Sequence, residues 1–181
     1  MTKFSSIKKG NDVFLHNNVE ITNPDRCIIG NHVAVDSGFY CTASLEIGDY
    51  VHISPHVAVI GGKNSSLTIK DFVFISVGSK IVCASEKFYG DGLIGPIIPQ
   101  DLKDEIINKP IIFENFSGIA ANCTVLPGVT LGEGSVVGAC SLVKEDTEPW
   151  TIYYGVPAKP YKKRKKEIMI DYAKKLGYSY R

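Results

Sequence analysis

Few side chains in this sequence exchange a proton easily near neutral pH. They are His16, His32, His52 and His56. Five cysteines (Cys27, Cys41, Cys83, Cys123, Cys140) lie far apart with no C-x-x-C pair. An odd number without motif spacing reads as reduced thiols in a cytoplasmic protein, not as a disulfide framework or zinc site. No G-x-x-x-x-G-K-[ST] loop, no G-x-G-x-x-G opening a helix and no G-x-S-x-G elbow is present. A run from Phe88 through Tyr89, Gly90 and Asp91 to Leu93 sets aromatic faces beside a carboxylate. Aromatic rings stack on sugars or bases, and carboxylates bind hydroxyl or amino groups, so this run fits recognition of a small polar ligand.

The elements that must position these groups show in a period of six. Aliphatic or similar residues recur at Ile29, Val35, Cys41, Ile47, Ile53 and Val59. After four extra residues they resume at Ile69, Ile75 and Ile81, and then again from Phe113 through Ile119, Val125, Leu131 and Val137 to Val143. Six residues at about 100° each would scatter this set around a helix, whereas an even step keeps it on one face of a strand. Small or β-branched residues often follow four places on, as at Val33, Val51, Ser79 and Cys123, and glycines follow directly at Gly30, Gly48, Gly132 and Gly138. The consistent solution is an all-β solenoid of stacked coils. Three hexapeptides per coil give five coils at 29–46, 47–64, 69–86, 113–130 and 131–148, with a looser entry coil on Ile7, Val13 and Val19. A short insertion falls at about 63–68 and a long one at 87–112. A loop of that length in a repeat protein is usually functional or disordered, and its aromatics, glycines and acids favour function. Stacking brings Gly38, His56, Gly78, Asn122 and Cys140 into one column, with Asp36 in the coil beneath His56 and His52 on the strand before it.

Residues from about 25 to 166 are similar to the hexapeptide-repeat acyltransferases. The likeness is carried by Ile47-Gly-Asp-Tyr-Val-His, Ile119-Ala-Ala-Asn-Cys-Thr, Val125-Leu-Pro-Gly-Val-Thr, Leu131-Gly-Glu-Gly-Ser-Val and the closing run Pro149-Trp-Thr-Ile-Tyr-Tyr-Gly-Val-Pro-Ala-Lys-Pro. The resemblance implies a left-handed parallel β-helix, a homotrimer with active sites between neighbours, and acetyl-CoA as co-substrate with no metal. Residue by residue it puts Ala121, Ala139 and Lys144 along the CoA channel and Lys159 and Lys162 at the CoA phosphates. Cations suit phosphates, and small side chains let a pantetheine arm approach the backbone.

Acyl transfer from a thioester needs an attacking amine or hydroxyl, usually a base, and donors for the oxyanion. Related galactoside-type enzymes place a histidine at the end of the hexapeptide before the long loop; here that position holds Glu86. The two candidates for the base are therefore Glu86 and His56, whose column adjoins the channel alanines. A neutral amine attacking without a base is a third possibility. Asp36, His52, Phe88, Tyr89 and Asp91 are expected to hold the acceptor. By the same resemblance that acceptor is an amino or hydroxyl group of a nucleotide-linked sugar for surface polysaccharide, such as lipopolysaccharide. Cys140 near the channel has no paired base in sequence for a covalent route. A zinc carbonic-anhydrase-like β-helix would need three converging histidines, and His32, His52 and His56 do not match that spacing. A catalytically silent trimeric binding module is the other alternative.

Charge divides the chain. Residues 159–181 hold nine basic and two acidic side chains, so the 20 Lys+Arg and 19 Asp+Glu of the whole leave eleven and seventeen in residues 1–158. The net charges are +7 and −6. The expected organisation is a β-helix over 1–158 and a basic capping segment over 159–181, with Ile168, Tyr172 and Leu176 at helical spacing on its packed face. An acidic body with one basic run lacking interleaved aromatics does not suit nucleic acid. No apolar run is long enough for a secretory signal or for the roughly 18 residues of a membrane span.

Overall fold

The fold is taken from a computed structural model, which describes residues 4–179. The final two residues of the expected 159–181 segment lie outside it. The chain is a parallel β-solenoid of about seven turns followed by one α-helix. Short strands from successive coils stack into three sheets of six, eight and six strands, which form the first, second and third faces. Coil 1 occupies 8–21, coil 2 27–41, coil 3 44–60, coil 4 66–82, coil 5 111–125, coil 6 130–143, and a partial coil 7 begins with the Thr147 bridge. The entry coil is in register with the rest: Lys8 pairs with Ile28, Val13 with Val33 and Glu20 with Tyr40.

Every six-step residue named above, from Ile29 to Val143, is at most 2% exposed. The companion positions Val33, Val51, Ser79 and Cys123 are buried as well. The hexapeptide is thus a minimal coil side: two inward side chains and one corner. At the corner from the first face to the second, an Asx side chain caps the coil below. Asp49 Oδ1 accepts the Asn31 N–H at 2.6 Å, Asp71 Oδ1 accepts the Asp49 N–H at 2.8 Å, and Asn115 Oδ1 accepts the Asp71 N–H at 3.0 Å. That cap explains the preceding glycine. A Cβ on Gly30 would stand 2.4 Å from Asp49 Oδ1, and one on Gly48 would stand 2.4 Å from Asp71 Oδ1. The next residue at each corner is left-handed and mostly aromatic, so His32, Tyr50, Phe72 and Phe116 stack at 4.6, 5.0 and 4.9 Å, with Trp150 5.8 Å beyond Phe116.

The interruptions sit slightly off their expected places. The short insertion lies at 61–65, because Ser66–Ile69 is already a strand paired to Ser44–Ile47. The long one leaves as Ala84–Glu86 and returns as Ile106–Asn108, an antiparallel pair, and the coil resumes at Ile111. Past Gly155 the chain turns back as Ala158–Lys163, antiparallel to Thr151–Gly155, before the helix Glu167–Lys175. The helix packs on the first corner, not over the end of the solenoid: Ile170 and Ala173 are buried against Phe116 and Trp150, with Phe72, Met169 and Tyr178 alongside. Ile168, Tyr172 and Leu176, expected on the packed face, are 66%, 61% and 55% exposed. Spacing finds a stripe on a helix, but it does not say which of two adjoining stripes meets the body.

Candidate active site

The corner from the second face to the third carries the expected column. Gly38, His56, Gly78, Asn122 and Cys140 all have φ between 58° and 71°. Backbone bonds tie them vertically: the His56 N–H donates to Ser37 O, Gly78 to Pro55 O, Asn122 to Val77 O and Cys140 to Ala121 O. A left-handed corner favours glycine, and the two glycines also leave room for the side chain above. A Cβ on Gly38 would meet His56 Nδ1 at 2.5 Å, and one on Gly78 would meet Asn122 Oδ1 at 2.4 Å. His56 is therefore an exposed imidazole laid over a glycine.

On the outer side of the second face His52 Nε2 meets Asp36 Oδ2 at 2.9 Å. Asp36 thus orients His52. His32 sits at the aromatic corner, with Nδ1 2.9 Å from Asp12, and lines an open cleft together with His52. Among the described residues no group of three His, Cys, Asp or Glu side chains is placed to hold a metal ion.

Towards the C-terminal end the column becomes smaller. Ala121 is half-buried and Ala139 exposed, in the turns just before Asn122 and Cys140. The Tyr154 ring covers Gly138 so closely that any Cβ there would overlap it, and the Gly155 N–H donates to Ser141 Oγ at 3.0 Å. The terminal hairpin is thereby seated on the Ala139 turn, with Lys159 opposite Tyr154 and Lys162 opposite Ile152. Among the described residues neither Lys159 nor Lys162 is in an ion pair, whereas Lys163 is held by Glu148 and Lys144 by Glu145. Small side chains followed by free ammonium groups fit a pantetheine arm ending in phosphates.

The long loop is a built arm. Glu86 is half-buried on its first strand, opposite Ile106. Phe88, Tyr89 and Asp91 project beyond it, Phe88 62% and Tyr89 79% exposed. Phe88 has φ 61°, an uncommon conformation for a bulky residue, and its N–H donates at 2.9 Å to Asp104 Oδ2. Asp104 is 3% exposed and also accepts the Glu105 N–H at 2.8 Å, while its own N–H donates to Leu93 O. Gly92 packs against this brace, where a Cβ would stand 2.4 Å from the Asp104 nitrogen. The Lys87 ammonium is held above its usual range by its hydrogen bond to Glu105. Sequence reasoning missed Asp104: nothing in Gln-Asp-Leu-Lys-Asp separates it from the exposed Asp101.

One chain does not bring all these groups together. His56, Ala121 and Ala139 stand at one end of the third-face strands, and Glu86 departs from the other end. About five residues of strand at roughly 3.3 Å each make that ~16 Å. The thiols offer no nucleophile in the core: burial pushes Cys27 and Cys83 up to about 12, with Cys41 beside them adding to it, and Cys41 up to about 11. Cys140 is exposed at the corner.

No family model matches the chain. It is 32% identical over 165 residues to dTDP-4-amino-4,6-dideoxy-D-glucose acyltransferase of Escherichia coli, covering 88% of this chain and 83% of that protein. The structure of AntD, an N-acyltransferase from Bacillus cereus in complex with dTDP and 3-hydroxybutyryl-CoA, superposes with a TM-score of 0.88 at 32% identity over 96% of this chain and 93% of that one. The hexapeptide-repeat acetyltransferase VCA0836 of Vibrio cholerae, solved with acetyl-CoA, gives a TM-score of 0.61 at 30% identity over 74% and 68%. Its coils, its inserted arm and its kinship along nearly the whole length with a sugar-modifying enzyme agree: the chain belongs to the hexapeptide-repeat sugar acyltransferases.

Proposed function

We propose that this protein transfers an acetyl group from acetyl-CoA to an amino or hydroxyl group of a nucleotide-linked deoxy or amino sugar. The observation that carries the reading is the likeness to AntD, which spans almost all of both chains and includes the inserted arm. The name of the Escherichia coli relative specifies a 4-amino sugar, which favours an amine as nucleophile. In this reading the amine attacks the thioester carbonyl, the carbon–sulfur bond breaks, and the thiolate leaves to be protonated as free CoA. His56 or Glu86 accepts the amine's proton. Ala121, Ala139 and Lys144 line the pantetheine path, and Lys159 and Lys162 meet the phosphates. Phe88 and Tyr89 stack on the nucleotide or sugar, while Asp91, Asp36 and His52 bind its polar groups.

The separation of Glu86 from the His56 corner within one chain supports a homotrimer in which the arm of one subunit faces the corner of its neighbour. No described helix is long and apolar enough to cross a membrane. A cytoplasmic enzyme supplying modified sugars for a surface polysaccharide such as lipopolysaccharide is the setting this chemistry suits. A thiol-release assay with acetyl-CoA and 3-hydroxybutyryl-CoA, against dTDP-linked 4-amino and hydroxyl sugars, tests the activity. Release that depends on an amino-sugar nucleotide is expected. No release with any acceptor, despite CoA binding, would leave only the silent binding module.

A further inference from the structure

The C-terminal helix leaves a face that the acyltransferase reading does not use. Ile168, Tyr172 and Leu176 follow one another at i, i+4 and i+8, so they fall within about 80° of the helix circumference. All three are more than half exposed. The adjoining face, with Ile170 and Ala173, is already buried on the solenoid, and Leu176 at the end of the helix borders the cleft beside Tyr50 and Phe72, so Ile168 and Tyr172 form the part of the stripe that points away from the body. Cations flank it at both ends, while the helix between them also carries the exposed Glu167 and Asp171. Lys165 and Lys166 precede the helix, Lys174 and Lys175 close it, and the Lys175 ammonium stands 5.1 Å from the Tyr172 ring centroid. Two further apolar side chains, Val156 and Tyr161, are each 72% exposed on the hairpin that leads into the helix. The +7 of residues 159–181 stands against −6 for the rest of the chain.

We infer that this basic, apolar-striped segment docks the protein on the surface of an anionic lipid bilayer. An apolar stripe flanked by lysines satisfies both halves of an interface of headgroups and acyl chains, with tyrosine at the boundary level. The charge division orients the molecule, since an anionic surface attracts the tail and repels the acidic coils. A second copy is a poorer occupant, because pairing two such helices sets one lysine cluster against another. Nucleic acid would answer the lysines and leave the stripe in water. The helix is too short to span, so the association is peripheral and reversible.

Co-sedimentation of the full chain with phosphatidylcholine vesicles containing roughly one-third phosphatidylglycerol, compared with phosphatidylcholine alone, tests the inference. Partitioning about tenfold stronger on the anionic vesicles is expected, lost in high salt. The variant Ile168→Ser/Tyr172→Ser/Leu176→Ser, all at exposed positions, should lower that partitioning at least about fivefold while thiol release with soluble acceptor stays unchanged. Equal partitioning on neutral and anionic vesicles would overturn the proposal. So would anionic binding that the triple variant leaves intact, since the stripe would then have no part in it. A mass that doubles with concentration in the wild type but not in the variant would assign the stripe to a second copy instead.

Discussion

His56 and Glu86 sit in different surroundings, one at an open corner of the coils and one on the arm. His56 lies exposed over Gly38, with no hydrogen bond to another described residue to fix its tautomer, so a bound acceptor can choose it. Glu86 is half-buried on the arm, opposite Ile106. On the proposed mechanism His56→Ala or Glu86→Gln lowers kcat by roughly 10²-fold or more, with CoA affinity retained. Wild-type turnover for both across the pH profile would mean that positioning alone drives a neutral amine. The buried thiols make a separate prediction at this scale. Unfolded thiols ionise from about pH 9, whereas the folded state holds Cys27 and Cys83 neutral to about 12 and Cys41 to about 11. Above pH 9 the unfolded state alone releases these protons, so stability present below pH 9 is lost as pH rises towards 12. Melting temperature should fall across that window and fall less in a Cys41→Ala variant judged against its own neutral-pH value; parallel curves would contradict the assignment.

The arm owes its shape to one side chain. Asp104 spends both carboxylate oxygens on backbone N–H groups, one of them at the left-handed Phe88, and so fixes where Phe88 and Tyr89 point. Asp104→Asn keeps the size but turns one acceptor into a donor facing an N–H. The expected result is an acceptor KM raised about tenfold with CoA affinity close to wild type, and a melting temperature lowered by a few degrees for the roughly 1–3 kcal/mol of an unsatisfied buried group. A fall in kcat with acceptor KM unchanged would show that the arm does not hold the acceptor. Arg164 does comparable work for the tail. It is part-buried and donates to Phe116 O at 3.0 Å and Gly134 O at 2.9 Å, tying coils 5 and 6 to the segment that enters the helix.

Scaled up to the assembly, the corner and the arm must come from different subunits if both serve one reaction. Light scattering should give three times the 19.8 kDa of one chain. Co-assembling His56→Ala subunits with Glu86→Gln subunits should then recover a fraction of activity that neither variant has alone, because some interfaces pair a wild-type corner with a wild-type arm. Mixed trimers as inactive as their parents would place the reaction within single subunits. The division of charge is also a property of the whole, with an acidic coil stack and a basic closing segment balanced to +1.

What the sequence determined by itself was the coil. An even step of six can bury one row of side chains only on stacked strands, and every residue of that row, from Ile29 to Val143, is in the core. The His56 column follows from the same counting, because parallel register is set by the inward row. Residues outside the period carried no such rule. Asp104 looked like any loop acid until the arm folded back on Phe88, and Asp36 gained His52 as a partner only through stacking. The helix stripe was visible, but which of its neighbouring faces would be buried depended on Phe116 and Trp150, brought together from coils far apart in the chain. Periodic burial is local and repeats, so it can be read along a line. A brace, an ion pair or a docked face needs two distant segments to meet, and only the tertiary structure decides that.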